Sequence, residues 1–156
     1  MNFFTELFQN KIFLISAISW AVAQFLKTMI NLAFTKKFDP ERLFGSGGMP
    51  SSHSSTVCAL ATACALQYGA SSFEFAISAI TAIIVMYDAR GVRRETGTQA
   101  VVINQMMEYF KTELSAQHKI VFDQEKLKEL VGHTPLQVCA GALLGILLAV
   151  ILYPML

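Results

Sequence analysis

Two histidines occupy positions that suit the chemistry of a phosphate group. His53 follows a glycine-rich run within GSGGMPSSHSS, and His133 precedes Pro135 within GHTP. Proline is favoured in the first turn of a helix, so both histidines are expected at helix N-termini, where backbone N–H groups and the helix dipole attract anions. One histidine can attack phosphorus while a second one transfers a proton. The pair therefore predicts a site for phosphoryl transfer.

Other polar residues near the ends of apolar stretches could belong to the same site. Lys27 interrupts the first apolar stretch, and Asp88 and the Arg93–Arg94 pair follow the third one. Arginine binds phosphate with two N–H groups at once, and lysine adds a point charge. Ionisable residues at membrane depth are costly and often functional. The predicted phosphate-binding residues are Lys27, Ser52, Arg93 and Arg94.

Each of these residues also has a structural interpretation. The histidines could cap or pack at helix ends, and Lys27 could extend its charge to the membrane surface. Asp88 could pair with Arg93, and the two arginines could serve only as charges that orient the chain in the membrane.

The composition excludes most classes of soluble protein. Of the 156 residues, 54% are hydrophobic and 15% are charged, against about 45–50% and about 25% in soluble domains. Mean hydropathy is +0.49. Three cysteines do not suit a disulfide-stabilised secreted scaffold, and a net charge of +1 gives no basic field for nucleic acid. An integral membrane protein without a nucleic-acid partner is expected.

Four apolar stretches predict an all-α bundle of about four transmembrane helices, formed by residues 1–156 as a single membrane domain. The predicted spans are about 12–34, 51–69, 71–88 and 135–156. The middle two are near the short limit for crossing a bilayer, so a partly re-entrant hairpin is an alternative. In the last span, Gly141 and Gly145 form a GxxxG step that favours close helix packing.

The segment 89–134 is the long polar part of the chain, and it is expected to lie in the cytoplasm. Apolar residues recur in it at helical spacing and predict an amphipathic helix on the membrane surface or over the bundle. These residues are Val102, Met106, Tyr109, Phe110 and Leu114.

The distribution of positive charge predicts the orientation. Of the twelve Lys and Arg residues, ten lie in 35–50 and 89–134, which four spans would place on one side of the membrane. Lys11 lies on the other side, and Lys27 lies within a span. Because cytoplasmic loops are enriched in Lys and Arg, both polar segments are expected in the cytoplasm and both termini outside.

These motifs carry a resemblance to a known family. PSSHSS at 50–55 is similar to the PSGH motif of the type 2 phosphatidic acid phosphatases, a superfamily shared with vanadium-dependent haloperoxidases. GHTPLQVCAGALLG at 132–145 is similar to the last motif of that superfamily. With DARGVRR and GTQA, the set resembles its divergent branch of small membrane proteins. The resemblance implies an α-helical membrane bundle in which His133 matches the nucleophile and His53 the general acid/base.

Two positions differ from the parent pattern. The arginine six residues before the nucleophile is replaced by Leu127, and the aspartate four residues after it is replaced by Gln137. A neutral glutamine can orient the histidine but cannot stabilise its cationic form. Asp88 and the Arg93–Arg94 pair are expected to supply the missing carboxylate and positive charge.

The expected function is that of a lipid phosphatase in the cell membrane, with its active site facing the cytoplasm. It would hydrolyse a phosphomonoester or pyrophosphate head group through a phosphohistidine, with His133, His53 and Asp88 as catalytic residues. No metal site is predicted and no cofactor is required, although Mg²⁺ could bind beside Asp88. The expected partners are the bilayer and a lipid phosphate, and a homodimer could help to bury polar helix faces.

The main alternative is a membrane protein that binds or transports lipid phosphate or another anion without chemistry. A vanadate-dependent haloperoxidase and a purely structural membrane subunit are further alternatives.

Overall fold

The computed structural model describes residues 2–36, 48–117, 127 and 133–156, with only the backbone described at 92–94 and 111–117. The regular elements in this part of the chain are all helical, which confirms the predicted all-α class. In chain order they are α1 (Phe3–Gln9), α2 (Lys11–Thr35), α3 (Ser52–Tyr68), α4 (Phe73–Arg90), α5 (Val92–Gln117) and α6 (Pro135–Leu152).

A short polar side chain caps the start of each of the four bundle helices α2, α3, α4 and α6. In every case its oxygen accepts a hydrogen bond from the backbone N–H three residues later, which satisfies one of the unpaired donors at the helix start. The capping residues are Asn10, Ser51, Ser72 and Thr134.

Helix α3 lies at the centre of the bundle. It packs against α2, α4 and α6, and α2 also packs against α6. All residues of α2 and α4 are described, and these two helices do not contact each other. The buried residues of α3 are all Ser, Ala or Cys. Small side chains allow helix backbones to approach closely, which is how helices associate in a bilayer.

The closest approach in the bundle joins α3 to α6. A Cβ atom added to Gly141 would collide with the backbone carbonyl of Ser51, and one added to Gly145 would collide with that of Ser55. The GxxxG step is therefore a packing surface, as its spacing predicts. Since both contacts advance by four residues in the same direction, α3 and α6 run parallel.

Helices α2 and α4 run in the opposite direction to α3. The Ser19 hydroxyl lies 2.7 Å from that of Ser55, whereas Lys27, later in α2, lies against Gly48, which precedes α3. Helix α4 follows α3 after a short turn that contains Gly69, whose φ of +88° suits glycine. The ends of α2 and α4 and the starts of α3 and α6 therefore lie on one side of the bundle.

Within the described residues, three helical stretches are long and apolar enough to cross a membrane: Lys11–Thr35, Phe73–Phe110 and Pro135–Leu152. The predicted number of about four spans is not confirmed. Helix α3 has 17 residues. It is the least apolar of the four bundle helices because three neighbouring helices pack against it. A helix surrounded by protein can carry serine and cysteine where a lipid-facing one carries leucine.

Helix α5 turns its small residues inward and its large apolar residues outward. Gly97, Ala100 and Asn104 are buried, whereas the predicted apolar face is exposed at Val102, Met106, Tyr109 and Phe110. The side chain of Leu114 lies outside the described residues. Helix α5 leaves the end of α4 at Gly91, so its exposed apolar side chains are well placed to contact the membrane surface.

Candidate active site

The structure brings the two motif histidines together at one end of the bundle. His53 lies in the first turn of α3 and His133 two residues before α6 begins. The centroids of their rings are 6.5 Å apart, and the ring planes are tilted by 60°. His133 is 4% exposed, whereas His53 is exposed. At this separation both rings can contact a single ligand the size of a phosphate group.

Gln137 holds the ring of His133. Its Oε1 accepts a hydrogen bond from the backbone N–H of Thr134 at 3.1 Å and lies 3.2 Å from Nδ1 of His133. Because this oxygen can only accept, Nδ1 must carry the proton. The lone pair of the neutral ring is then on Nε2. The contact gives His133 the tautomer that a nucleophilic Nε2 requires.

The same glutamine completes the N-terminal cap of α6. The Thr134 side chain accepts from the backbone N–H of Gln137, and the Gln137 side chain accepts from that of Thr134, which forms a capping box with Pro135 at the first helical position. Two of the N–H groups expected to face an anion are therefore used within the helix start. The helix dipole remains as the contribution of α6 to anion binding.

Backbone hydrogen bonds fix the start of α6 against its neighbours. The N–H of His133 donates to the carbonyl of Ala89 at 3.0 Å, and the N–H of Ser51 donates to the carbonyl of Gln137 at 3.0 Å. Asp88, which precedes Ala89 in the last turn of α4, is half-buried. The three helix ends that carry His53, Asp88 and His133 are thus joined directly.

Lys27 lies inside the bundle close to this end. It is 2% exposed, and its aliphatic stem lies beneath Gly48: a Cβ atom at Gly48 would be 3.0 Å from Cγ and Cδ of Lys27. Gly48 also has a φ of +85°, which favours glycine. Gly48, which precedes α3, therefore lies directly over a buried cation. Burial at this depth excludes a lysine that simply extends to the membrane surface.

The four serines around His53 are buried and anchor the helix that carries it. Ser51, Ser54 and Ser55 are fully buried and Ser52 nearly so. The Ser54 hydroxyl donates to that of Ser51 at 3.0 Å, and Ser55 contacts Ser19 of α2. His53 is the residue of the run whose side chain reaches the surface. The serines hold the start of α3 in place while the histidine is presented outward.

The remaining predicted residues are placed by the backbone alone. Arg93 and Arg94 lie in the first turn of α5, immediately after the end of α4, and their side chains are outside the described residues. Leu127, which stands where the parent pattern has arginine, is exposed. Its backbone N–H and carbonyl both pair with the side-chain amide of Asn104, at 3.0 and 2.9 Å.

Three contributors to this region were not predicted from the sequence. They are Ser19, which contacts the serine run from α2, Gly48, which covers Lys27, and Asn104, which pairs with Leu127. For Ser19 a signal exists, because it is a polar residue eight positions before Lys27 and so close to the same helix face. Asn104 gives no such signal, since an asparagine in an amphipathic helix is ordinary.

Comparison with known proteins identifies the family of the chain. Residues 8–148 match the model of the divergent PAP2 family. The chain is 44% identical over 152 residues to an uncharacterized membrane protein, YuiD, of Bacillus subtilis (strain 168), covering 94% of this chain and 96% of that protein. No solved structure matches the chain. The family match includes both histidine motifs, all of α2, α3 and α4 and most of α6, and the chain belongs to the divergent PAP2 family.

Proposed function

We propose that this protein is a membrane-embedded lipid phosphatase. The observation that carries the proposal is the pairing of His53 and His133 at 6.5 Å, at the starts of two parallel helices in a protein of the divergent PAP2 family. The Gln137 contact supports it further, because it leaves the lone pair of His133 on Nε2. The substrate is a phosphomonoester or pyrophosphate head group on a lipid.

The reaction proceeds in two steps. Nε2 of His133 attacks phosphorus and forms an N–P bond, while the bond to the lipid oxygen breaks and His53 donates a proton to that oxygen. A water molecule then attacks the phosphohistidine, and His53 accepts a proton from it. The N–P bond breaks, phosphate leaves, and both histidines return to their initial states.

Positive charge stabilises the phosphoryl oxygens as the transition state forms. Lys27 is the buried cation near the site, and Arg93 and Arg94 begin the helix that follows Asp88. Ser52 contributes from the first turn of α3. Asp88 acts as the carboxylate that stabilises cationic histidine, the role that Gln137 cannot fill. The scheme requires no cofactor, and Mg²⁺ beside Asp88 would add charge stabilisation.

In this proposal the protein lies in the cell membrane, and its active site faces the cytoplasm. Support comes from the strong bias of Lys and Arg toward the two segments that adjoin the histidines.

The test is phosphate release by the purified protein in detergent. Phosphatidic acid, phosphatidylglycerophosphate and polyprenyl phosphates are supplied with and without Mg²⁺. His53→Ala and His133→Ala are compared with His118→Ala, a matched control at the third histidine of the chain, which belongs to neither motif. Turnover is expected to fall by at least about 100-fold in the two motif variants and to be unchanged in the control.

The same measurement separates catalysis from binding alone. A binding or transport protein would release no phosphate from any of these lipids, yet would still bind lipid phosphate when folded. It would also tolerate the loss of at least one of the two histidines. Turnover that survives in either His53→Ala or His133→Ala contradicts the proposed mechanism.

A further inference from the structure

An apolar groove runs along the membrane-facing side of α3, away from the histidines. Its volume is about 950 Å³, which lies in the range of ligand-binding pockets. The floor is one face of α3, formed by Thr56, Leu60, Cys64 and Tyr68 at intervals of four residues. Helices α2 and α4 form the walls. Since these fully described helices pack on α3 without touching each other, the groove is open sideways to the lipid.

On the side nearer the histidines the groove offers hydrocarbon rather than hydrogen-bonding groups, and the polar side chains of Asn10, Tyr68 and Glu74 line its opposite end. Four Ser and Thr residues also line the groove, but each of their hydroxyls donates to the backbone carbonyl four residues earlier in the same helix. The donors are Ser16, Thr56, Ser78 and Thr81, at 2.7–2.8 Å. What these residues present to the groove is therefore largely methyl, methylene and Cα–H surface. Such a surface suits an aliphatic chain.

The groove lies on the face of α3 that carries His53. His53 lies one turn before Thr56, and a helical repeat of 3.6 residues places it on the same face of α3 as the floor. A phosphate held between the two histidines would therefore have its attached chain directed along the floor. This shared face favours the tail of the same lipid as the occupant over an unrelated molecule.

The length of the groove limits the kind of tail. The floor from Thr56 to Tyr68 is about 18 Å long at about 1.5 Å per residue, whereas one leaflet of the hydrocarbon core is about 15 Å deep. The groove begins one turn inside the helix end, so it passes the middle of the bilayer.

We infer that the groove binds the hydrocarbon tail of the substrate, and that this tail is longer than one leaflet is deep. This inference rests on the proposed function for the position of the phosphate. It adds the length of the tail and its path through the protein.

The kinetic test compares two substrates in one protein. A long-chain alkyl phosphate and a short, water-soluble alkyl phosphate are assayed with Leu60→Trp, which fills the groove floor, and with Leu66→Trp, an identical change at an exposed position of α3 outside the groove. Thr81→Phe fills the groove from α4 and serves as the second blocking variant if Leu60→Trp does not fold.

The blocking variants are expected to lower kcat/KM for the long-chain substrate by about tenfold or more, because overfilling a packed site costs on that order. The value for the short substrate and both values for Leu66→Trp should match those of the unchanged protein. Equal losses for both substrates, or no loss for either, would overturn the inference.

A second measurement does not depend on turnover. Trp20, the single tryptophan of the chain, lines the groove. A long-chain alkyl phosphate brominated at mid-chain should quench its fluorescence more than the same brominated chain with an alcohol head group. Thr81→Phe should abolish the difference. If this difference in quenching is observed without phosphate release, the phosphatase proposal fails and the proposed tail-binding site stands. Equal quenching by the two lipids contradicts the proposed tail-binding site.

Discussion

At the scale of single residues, Gln137 stands where the parent pattern has aspartate, and its side chain still provides an oxygen atom. Gln137 places Oε1 at 3.2 Å from Nδ1 of His133, where a carboxylate of the parent pattern would also accept a hydrogen bond. The amide therefore retains the orientation of the ring and its tautomer, and loses only the negative charge. The change removes stabilisation of cationic histidine without disturbing the nucleophile.

This division of roles gives a first prediction. Gln137→Ala removes the oxygen that orients His133 and should lower kcat by about 10- to 100-fold, as the loss of a supporting hydrogen bond commonly does. Gln137→Glu keeps an oxygen and adds charge, so it should retain the activity of the unchanged protein or exceed it. Steady-state kinetics of both variants with a lipid phosphate provide the measurement, and a full kcat in Gln137→Ala would contradict the assigned contact.

Lys27 supplies a second prediction at this scale. Lys27→Met preserves the aliphatic stem beneath Gly48 and removes the charge, so phosphate should bind more weakly. We expect kcat/KM to fall by at least about tenfold, the range for hydrogen bonds to charged groups. Lys36→Met, at the exposed end of α2, is the matched control and should be unaffected. Equal values of kcat/KM for Lys27→Met and Lys36→Met would mean that Lys27 does not contact the substrate.

At the scale of helices, the contact between α3 and α6 determines the distance between the two histidines. Each histidine lies within about two turns of a glycine–serine contact: Gly141 meets Ser51, and Gly145 meets Ser55. No side chain separates the backbones there, so neither helix can approach further or rotate without a collision. A small change at this interface would therefore move both histidines.

The interface gives a third prediction. Gly145→Ala should destabilise the protein by about 1–3 kcal/mol, because a backbone carbonyl cannot yield as a flexible side chain can. Thermal unfolding in detergent measures the change. Leu147→Ala, at a lipid-facing position of α6, removes more atoms, yet it should lower the midpoint temperature of unfolding less than Gly145→Ala does. A larger loss of thermal stability in Leu147→Ala than in Gly145→Ala would contradict the close contact between α3 and α6.

At the scale of the whole molecule, the packing is that of a protein whose solvent is lipid. Large apolar side chains, among them Ile83, Ile84 and Leu143, are exposed, and most of the buried residues in the described part of the chain are Ala, Cys, Ser or other polar residues. Lipid is as apolar as leucine, so burying leucine gains little, whereas close backbone contact and hydrogen bonding gain more. Polar residues therefore collect inside, at the end where four helix termini meet.

The orientation of this assembly gives a fourth prediction. The bias of Lys and Arg predicts that the histidine end lies in the cytoplasm and both termini outside. In a variant without the three natural cysteines, Asn2→Cys and Met155→Cys should react with a membrane-impermeant maleimide on intact cells. Thr98→Cys, in α5, should react only after permeabilisation. The opposite pattern would invert the topology and place phosphate release outside the cell.

The sequence by itself determined the helical segments, the two histidine motifs and the family. A membrane-embedded segment must satisfy its own backbone hydrogen bonds, so apolar length alone identifies a helix. Proline and capping residues mark where α3 and α6 begin because those signals act within a single turn. The roles proposed for His53 and His133 come from motifs that are local in the chain.

Only the tertiary structure decided which faces of the helices meet. The sequence does not show which of the four serines and His53 face outward, yet the serines are buried in the bundle and the histidine is exposed. The separation of α2 from α4, which opens the groove, depends on how three helices share one face of α3. Inside a bilayer no burial of apolar surface directs that choice, so it rests on close contacts between residues distant in the chain.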